Sequence, residues 1–168
     1  MRATAREAGV SHAAPKNHFG NLTGLLSDLA AVGFKRFRAE LTNYVQPESD
    51  PAARMKALGM GYLSFAKTNP ALFLLMFRNE RLDYSRPALS ETASAAFNVL
   101  STATSERRAE KVGEDLTSEQ MADIIGSWSL VHGFSMLLLD GRLDPLLERS
   151  PEGTKDTDLL AAIFSLKT

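Results

Sequence analysis

The chain lacks cysteine altogether, which excludes disulfides, thiolate metal sites and cysteine nucleophiles. It has almost no strand signal, because no run of β-branched residues alternates with polar ones. No uninterrupted apolar run approaches the roughly 18 residues that a membrane span needs, and the N-terminus has no signal-peptide core. These absences favour a soluble all-α protein without a membrane partner, which we expect in the cytoplasm.

Residues that could support catalysis or hold a metal are few and scattered. The three histidines, His12, His18 and His132, lie in different predicted elements, and none shares a helix face with a carboxylate at ligand spacing. No Ser-His-Asp arrangement follows from the positions of Ser127 and Ser129, and no glycine-rich loop has nucleotide-binding spacing. We therefore expect no metal, no cofactor and no catalytic residue, and keep an enzyme that uses His132 as a third alternative.

Charge is distributed unevenly along the chain, although the formal net charge is only −1. Residues 1–38 hold six basic and two acidic side chains, a balance of +4, whereas the remaining residues hold 13 basic and 18 acidic ones, a balance of −5. Such asymmetry is typical of a basic, phosphate-facing segment joined to an acidic remainder.

Helical periodicity runs through the whole sequence. Asp50-Pro51 reads as an N-cap followed by a first-turn proline, and Thr117-Ser118-Glu119-Gln120 has the pattern of a capping box. The predicted helices span 2–8, a short segment capped by Ser11, 22–45, 51–68, 71–77, a helix opened by 85–87, 118–140 and 156–166, with breaks at 46–49 and 144–155.

The first helix ends at Gly9, and the short polar helix that follows the turn completes a helix-turn-helix arrangement. The residue order is more specific than the arrangement: Ala-x-x-Ala-Gly-Val-Ser at 5–11, His18-Phe19, then Leu25-Leu26 in a long helix. This order resembles the DNA-reading segment of the tetracycline-repressor-like family of bacterial transcription regulators. The resemblance implies operator DNA as a partner, contacted by Ser11, His12, Ala13, Ala14, Lys16, Asn17 and His18.

The N-terminal segment departs from the family in three respects. Lys16 stands where the family usually has tyrosine, and Leu22 stands where it usually has a basic residue. The family also carries a further helix of about twenty residues upstream, whereas Met1 stands at the start of what corresponds to the second helix. We expect a late or truncated start rather than a true loss of DNA binding, and we expect this form to bind DNA weakly or not at all, with residues 1–20 mobile.

The later part of the chain carries a second resemblance. Trp128, His132 and Gly133 resemble the Trp…His-Gly signature of one C-terminal ligand-binding domain class of that family. Trp128 and His132 are four residues apart and share a helix face. An apolar cavity for a small effector could be lined by Tyr62, Phe65, Phe73, Met76, Phe97, Trp128 and His132; the alternative is that this aromatic and methionine stripe is ordinary core.

The resemblance also implies a homodimer through the last two helices, and Ile163, Phe164 and Leu166 are apolar positions that a monomer would leave poorly covered. We expect an incomplete helix-turn-helix segment at 1–45 and a helical bundle of the tetracycline-repressor type at 46–168. The expected function is a ligand-responsive transcriptional regulator, a repressor released from operator DNA by a small apolar or amphipathic effector. The alternative is a dimeric small-molecule-binding module with a vestigial N-terminal segment and no DNA binding.

Overall fold

The computed structural model describes residues 2–46, 50–108 and 116–166. Met1, residues 47–49 of the break predicted at 46–49, residues 109–115 and residues 167–168 lie outside these ranges. Within them the chain forms nine α-helices, one short 3₁₀ helix at Asn79–Arg81 and no strand, which confirms the all-α prediction. The α-helices are α1 (Arg2–Glu7), α2 (Ala14–Phe19), α3 (Leu22–Asn43), α4 (Pro51–Thr68), α5 (Pro70–Met76), α6 (Pro87–Arg107), α7 (Ser118–Leu139), α8 (Asp144–Leu147) and α9 (Asp156–Ser165).

Local capping chemistry accounts for the starts of the long helices. The Asp50 side chain accepts a hydrogen bond of 2.8 Å from the Ala53 N–H, with Pro51 in the first turn of α4. Thr117 and Gln120 form the reciprocal capping box of α7, with bonds of 2.9 and 3.2 Å. Both predicted helix starts are therefore confirmed.

Two local predictions need correction. Ser11 is not the N-cap of α2: the helix begins at Ala14 after Ala13, and the Ser11 carbonyl accepts the Ala14 N–H at 3.0 Å. Pro15 sets this start, because its fixed φ suits a first turn and needs no N–H acceptor. The segment predicted as a loop at 144–155 begins with the short helix α8, which also carries a proline in its first turn.

The core lies between α3, α4, α5 and α6, with α7 and α9 closing it from the side of α4. Two glycines permit close helix approach. A Cβ at Gly33 of α3 would lie 2.6 Å from the Met76 sulfur of α5, and one at Gly61 of α4 would lie 3.0 Å from the Glu40 carbonyl oxygen. Because α3 packs along much of its length against the other helices, we call α3 to α9 the helical body; the predicted division at residue 45 stays a prediction.

Helix α7 is the most apolar of the long helices, and much of its apolar surface is exposed. By length and composition it could cross a membrane, a test that core helices of soluble proteins also pass, and 22% of the relevant window is buried. Its exposed apolar side chains include Met121, Ile125 and Leu137. A large apolar surface of α7 therefore remains uncovered by the described part of this one chain.

Candidate ligand-binding cavity

A cavity of about 640 Å³, which we call the central cavity, lies between α3, α4, α6 and α7. This volume is within the range of sites for small molecules. No Asp, Glu, Lys or Arg is found among the described residues of its wall. The wall consists of Phe34, Phe37, Leu41, Met55, Leu58, Gly59, Tyr62, Phe77, Asn79, Tyr84, Ala93, Ser94, Ala96, Phe97, Asn98, Val99, Leu100, Ser127, Trp128, Val131, His132 and Phe164.

Four of the seven residues predicted to bind a ligand lie on this wall: Tyr62, Phe97, Trp128 and His132. They come from three different helices, α4, α6 and α7, which the packing of the body brings together. Their placement agrees with an apolar site that carries a few polar groups. Their role in ligand binding stays a prediction.

The other three residues, Phe65, Phe73 and Met76, lie behind the wall in the core, where each side chain is at most 2% exposed. The Phe65 ring packs against Phe37, with centroids 5.2 Å apart, and Phe73 packs against Tyr62 at 5.6 Å. The expectation that these three line the cavity is corrected here. They support the wall from behind: Phe65 lies against Phe37, Phe73 against Tyr62, and Met76 beside Gly33 of α3.

Tyr62 and His132 form the central polar contact of the wall. The Tyr62 Oη and His132 Nδ1 atoms are 2.8 Å apart and share a hydrogen bond. Burial raises the pKa of Tyr62 well above its usual value, against a smaller opposing effect of the Trp128 side chain. Burial also lowers the pKa of His132. The pair is therefore neutral at physiological pH and offers a ligand dipoles rather than charge.

Aromatic rings surround His132 and account for its burial. Its ring centroid lies 4.6 Å from that of Phe77, 5.6 Å from Phe73 and 6.4 Å from Trp128. The Trp128 ring in turn lies 6.4 Å from Phe97 in an edge-on arrangement. This part of the wall is an aromatic surface with one imidazole set into it, suited to flat or flexible apolar groups.

Several wall residues were missed by the sequence reasoning. Asn79 and Tyr84 lie in the connection between α5 and α6, where no periodic pattern marks the side that faces inwards. Phe164 reaches the cavity from α9, because Gly59 leaves room for its ring and a Cβ there would collide with it. Phe37 could have been found, since its spacing to Leu41 on α3 already indicated a buried stripe.

The N-terminal pair, by which we mean α1 and α2, carries the residues predicted to contact DNA. Ser11, His12 and Ala13 lie exposed before α2, and Lys16, Asn17 and His18 lie exposed on it, whereas Ala14 is half-buried. The six basic residues of the first 38 positions are also all exposed. These side chains are accessible to a nucleic acid, and their role in DNA binding stays a prediction.

The connection between α5 and α6 joins the central cavity to the start of α3. Tyr84 lies on the cavity wall, and one residue earlier the Asp83 N–H donates a hydrogen bond of 2.9 Å to Ser27 Oγ. The Arg86 guanidinium donates to both oxygens of Asp28, at 2.9 and 3.0 Å. We call these contacts the α3 clasp; they lie within one turn of Gly24, where α2 and α3 approach closely.

The described residues form an all-α fold around an apolar cavity of small-molecule size, an arrangement common in helical ligand-binding domains. Within that class, the family described as "Tetracyclin repressor-like, C-terminal domain" matches residues 55–159. The chain therefore belongs to the tetracycline repressor-like family, whose C-terminal domains are regulatory and bind ligands.

A solved structure described as that of a protein with unknown function from Rhodococcus sp. RHA1 is similar to this chain. The two share 31% sequence identity and a TM-score of 0.76, over 98% of this chain and 80% of that one. No curated protein matches the chain in sequence. The resemblance drawn from the Trp…His-Gly segment is confirmed by the family match, which includes those residues.

Proposed function

We propose that this protein is a ligand-responsive transcriptional regulator that represses transcription as a dimer and leaves operator DNA when a small effector enters the central cavity. The observation that carries the proposal is the joining of that cavity to the start of α3 by the α3 clasp. Tyr84 and Asp83 are neighbours in the chain, so a ligand that displaces Tyr84 acts on the Asp83–Ser27 hydrogen bond. An effector that binds better to one arrangement of α3 shifts the population towards that arrangement.

DNA contact is assigned to α2 and the turn before it. Lys16, Asn17 and His18 are exposed on one short helix, and Arg2 and Arg6 give the exposed surface of α1 two further positive charges. Such a surface supplies the charge needed for phosphate contact, and the polar side chains of α2 can reach base edges. The protein acts in the cytoplasm and without catalysis in this proposal.

A homodimer is assigned to α7 and α9, which contact one another. Apolar side chains are exposed on α7 and at the end of α9: Ile125 of α7 is 58% exposed, and Leu166, directly after α9, is 86% exposed. Two such helices from each copy would form a four-helix bundle and cover these side chains. A twofold dimer also presents two copies of α2 to a palindromic site.

The experiment is a DNA titration at two salt concentrations, with fragments selected from a random library. The protein is expressed with any coding sequence that precedes Met1 in frame. Affinity should fall steeply as salt rises, and Lys16→Gln should reduce the slope of log K against log salt by about one. Lys56→Gln, an equal charge change at an exposed position of α4, should leave the slope unchanged.

A second function, a dimeric small-molecule-binding module without DNA binding, is favoured by one observation. Leu22 is 54% exposed and places an apolar side chain where the family usually has a cation. If no selected fragment binds even at low salt, the repressor proposal falls. Binding of an apolar ligand by that same protein would then support the module.

A further inference from the structure

One edge of the His132 ring is available to a ligand. The other edge is engaged, since Nδ1 shares the hydrogen bond of 2.8 Å with Tyr62 Oη. Among the described residues none bonds to Nε2, yet Nε2 does not belong to the fully buried side-chain atoms that lack a partner there. His132 is half-buried and lies on the wall of the central cavity. A molecule that fills this cavity can therefore contact Nε2.

The burial of Tyr62 determines which nitrogen of His132 carries the proton. The Tyr62 side chain is 5% exposed, and within the described ranges His132 Nδ1 is the one acceptor for its hydroxyl proton. Trp128 also acts on the Tyr62 hydroxyl, but an indole N–H only donates. A buried hydroxyl needs an acceptor, so Tyr62 donates to Nδ1. Burial lowers the pKa of His132 and keeps the ring neutral, so its single proton lies on Nε2.

The polar side chains of the wall differ in their access to water. Four of them are exposed and can stay hydrated when a ligand binds: Asn79, Tyr84, Ser94 and Asn98. Tyr62, Ser127 and His132 are buried or half-buried, and the Tyr62 hydroxyl is already paired. A ligand that displaces water from the Nε2–H group must supply an acceptor, because a buried donor without one weakens binding.

The rest of the wall selects against charge and favours flat rings. It has no Asp, Glu, Lys or Arg among the residues that the structure describes, so a charged group would lose its hydration there without an opposite charge. The rings of Phe77, Phe97 and Trp128 lie close to one another, with centroid distances of 6.3 Å from Phe77 to Trp128 and 6.4 Å from Phe97 to Trp128. Aromatic ligands pack well against such a set of rings.

We propose that the effector is an uncharged aromatic molecule with an acceptor oxygen, such as a carbonyl, that accepts a hydrogen bond from His132 Nε2–H in the central cavity. This inference rests on the proposed function, since it names the ligand of the same site. Tyr62 is a positioning residue: it occupies Nδ1 and leaves the proton on the edge of the ring that meets the ligand. The site then prefers acceptors, because an N–H group of a ligand would meet another N–H group.

The position of the proton can be measured without a ligand, by nitrogen-15 NMR of the imidazole ring. The chain has three histidines, and His12 and His18 are exposed. A protein with His12→Gln and His18→Gln therefore keeps only the signals of His132. We expect the proton on Nε2, and we expect Tyr62→Phe in the same background to admit both tautomers. A proton on Nδ1 of the otherwise unsubstituted ring would overturn the proposal.

Calorimetry with compounds of one skeleton then tests recognition of the oxygen. Benzophenone carries an acceptor, diphenylmethane carries neither donor nor acceptor, and diphenylamine carries a donor. In His132→Asn the shorter amide can still accept from Tyr62 but places no donor at Nε2. This variant should reduce the preference for benzophenone over diphenylmethane about tenfold. The control Ser127→Ala removes another buried hydroxyl of the same wall and should leave the preference unchanged.

Two further compounds test the direction of the hydrogen bond and the exclusion of charge. Diphenylamine should bind the unsubstituted protein more weakly than benzophenone, because its N–H group faces a donor. 4-Benzoylbenzoate, which adds a carboxylate to benzophenone, should bind about tenfold more weakly or worse, because the described wall offers that charge no partner.

Several outcomes would overturn the proposal. A preference for benzophenone that survives His132→Asn, or that disappears in Ser127→Ala instead, would place the oxygen elsewhere on the wall. Tighter binding of diphenylamine would show that Nε2 accepts, and undiminished binding of 4-benzoylbenzoate would contradict an uncharged ligand. If none of the compounds binds, the assignment of the ligand falls, whereas the DNA titration, which needs no ligand, still decides the repressor proposal separately.

Discussion

The N-terminal pair and the helical body differ in how much of each is buried. Helix α1 buries only Ala5 and helix α2 only Pro15, whereas α4 alone buries eight residues. The N-terminal pair nevertheless carries the most specific sequence pattern, from the Ala-Gly-Val-Ser turn to His18-Phe19. Patterns that indicate function and residues that stabilise the fold therefore lie in different parts of this molecule. Substitutions in the two parts should accordingly change different properties of the protein.

The largest loss of stability is expected from a substitution in the core of the helical body. Phe73→Ala removes a fully buried ring that contacts Tyr62 and Phe77, and should lower the free energy of unfolding by about 3–5 kcal/mol. His18→Ala in the N-terminal pair, an exposed position, should change it by no more than about 0.5 kcal/mol. Denaturant unfolding measures both, and similar losses for the two variants would abolish the distinction between the regions.

A smaller effect is expected on the wall of the central cavity. Tyr62→Phe removes the hydroxyl that shares a hydrogen bond with His132 Nδ1 and should lower the free energy of unfolding by about 1–2 kcal/mol. The test is a double-mutant cycle that combines Tyr62→Phe with His132→Gln. The control cycle combines Phe37→Leu with His132→Gln, because Phe37 contacts the Tyr62 ring but takes no part in the hydrogen bond. A coupling energy near zero between Tyr62 and His132 would contradict the prediction.

The α3 clasp should contribute less, because its charged groups are about one-third exposed. Combining Asp28→Asn with Arg86→Gln in a double-mutant cycle should give a coupling energy of about 0.5–1 kcal/mol. The clasp joins the α5–α6 connection to the start of α3, which in turn packs against α2, so in the proposed function the same variants should alter effector-induced release of DNA more than they alter stability. Unchanged release in both single variants would mean that the regions communicate by another route.

The smallest effect is a pH dependence of the body. Because burial lowers the pKa of His132 in the folded state, the unfolded chain binds its proton more readily. The free energy of unfolding should therefore be highest above pH 6.5, the ordinary pKa of histidine. It should decline as the pH falls from there towards the lower pKa of His132 in the folded protein. Urea unfolding at pH 7.5 and 5.5 tests this, and His132→Gln should show a shallower decline than the unsubstituted protein.

Helix positions were predictable from local chemistry where one cap dominates. Asp50 and Thr117 start α4 and α7 as expected, because an N-cap depends on residues only three positions apart. At α2 two local signals competed, and Pro15 set the start instead of Ser11. The fold class followed from periodicity, which needs no knowledge of tertiary contacts.

The cavity was only partly predictable, because the side of a helix that faces a space depends on its neighbours. Tyr62 and Phe65 lie three residues apart on α4, yet Tyr62 reaches the cavity and Phe65 the core beside Phe37. Asn79 and Tyr84 lie in an irregular connection whose path is set by the contacts of Asp83 and Arg86 with α3. Such long-range contacts leave no periodic trace in the sequence.

The position of Phe164 has a consequence for how the protein responds to its own concentration. The ring belongs to α9 yet forms part of the cavity wall opposite Gly59. In a dimer built on α7 and α9, whatever fills the cavity also touches a helix that joins the two copies. Occupancy and self-association are then linked reciprocally, so the apparent ligand affinity would change with the number of copies in the cell. Phe164 of α9, together with Trp128 and His132 of α7, would make the abundance of the protein a second input besides its effector.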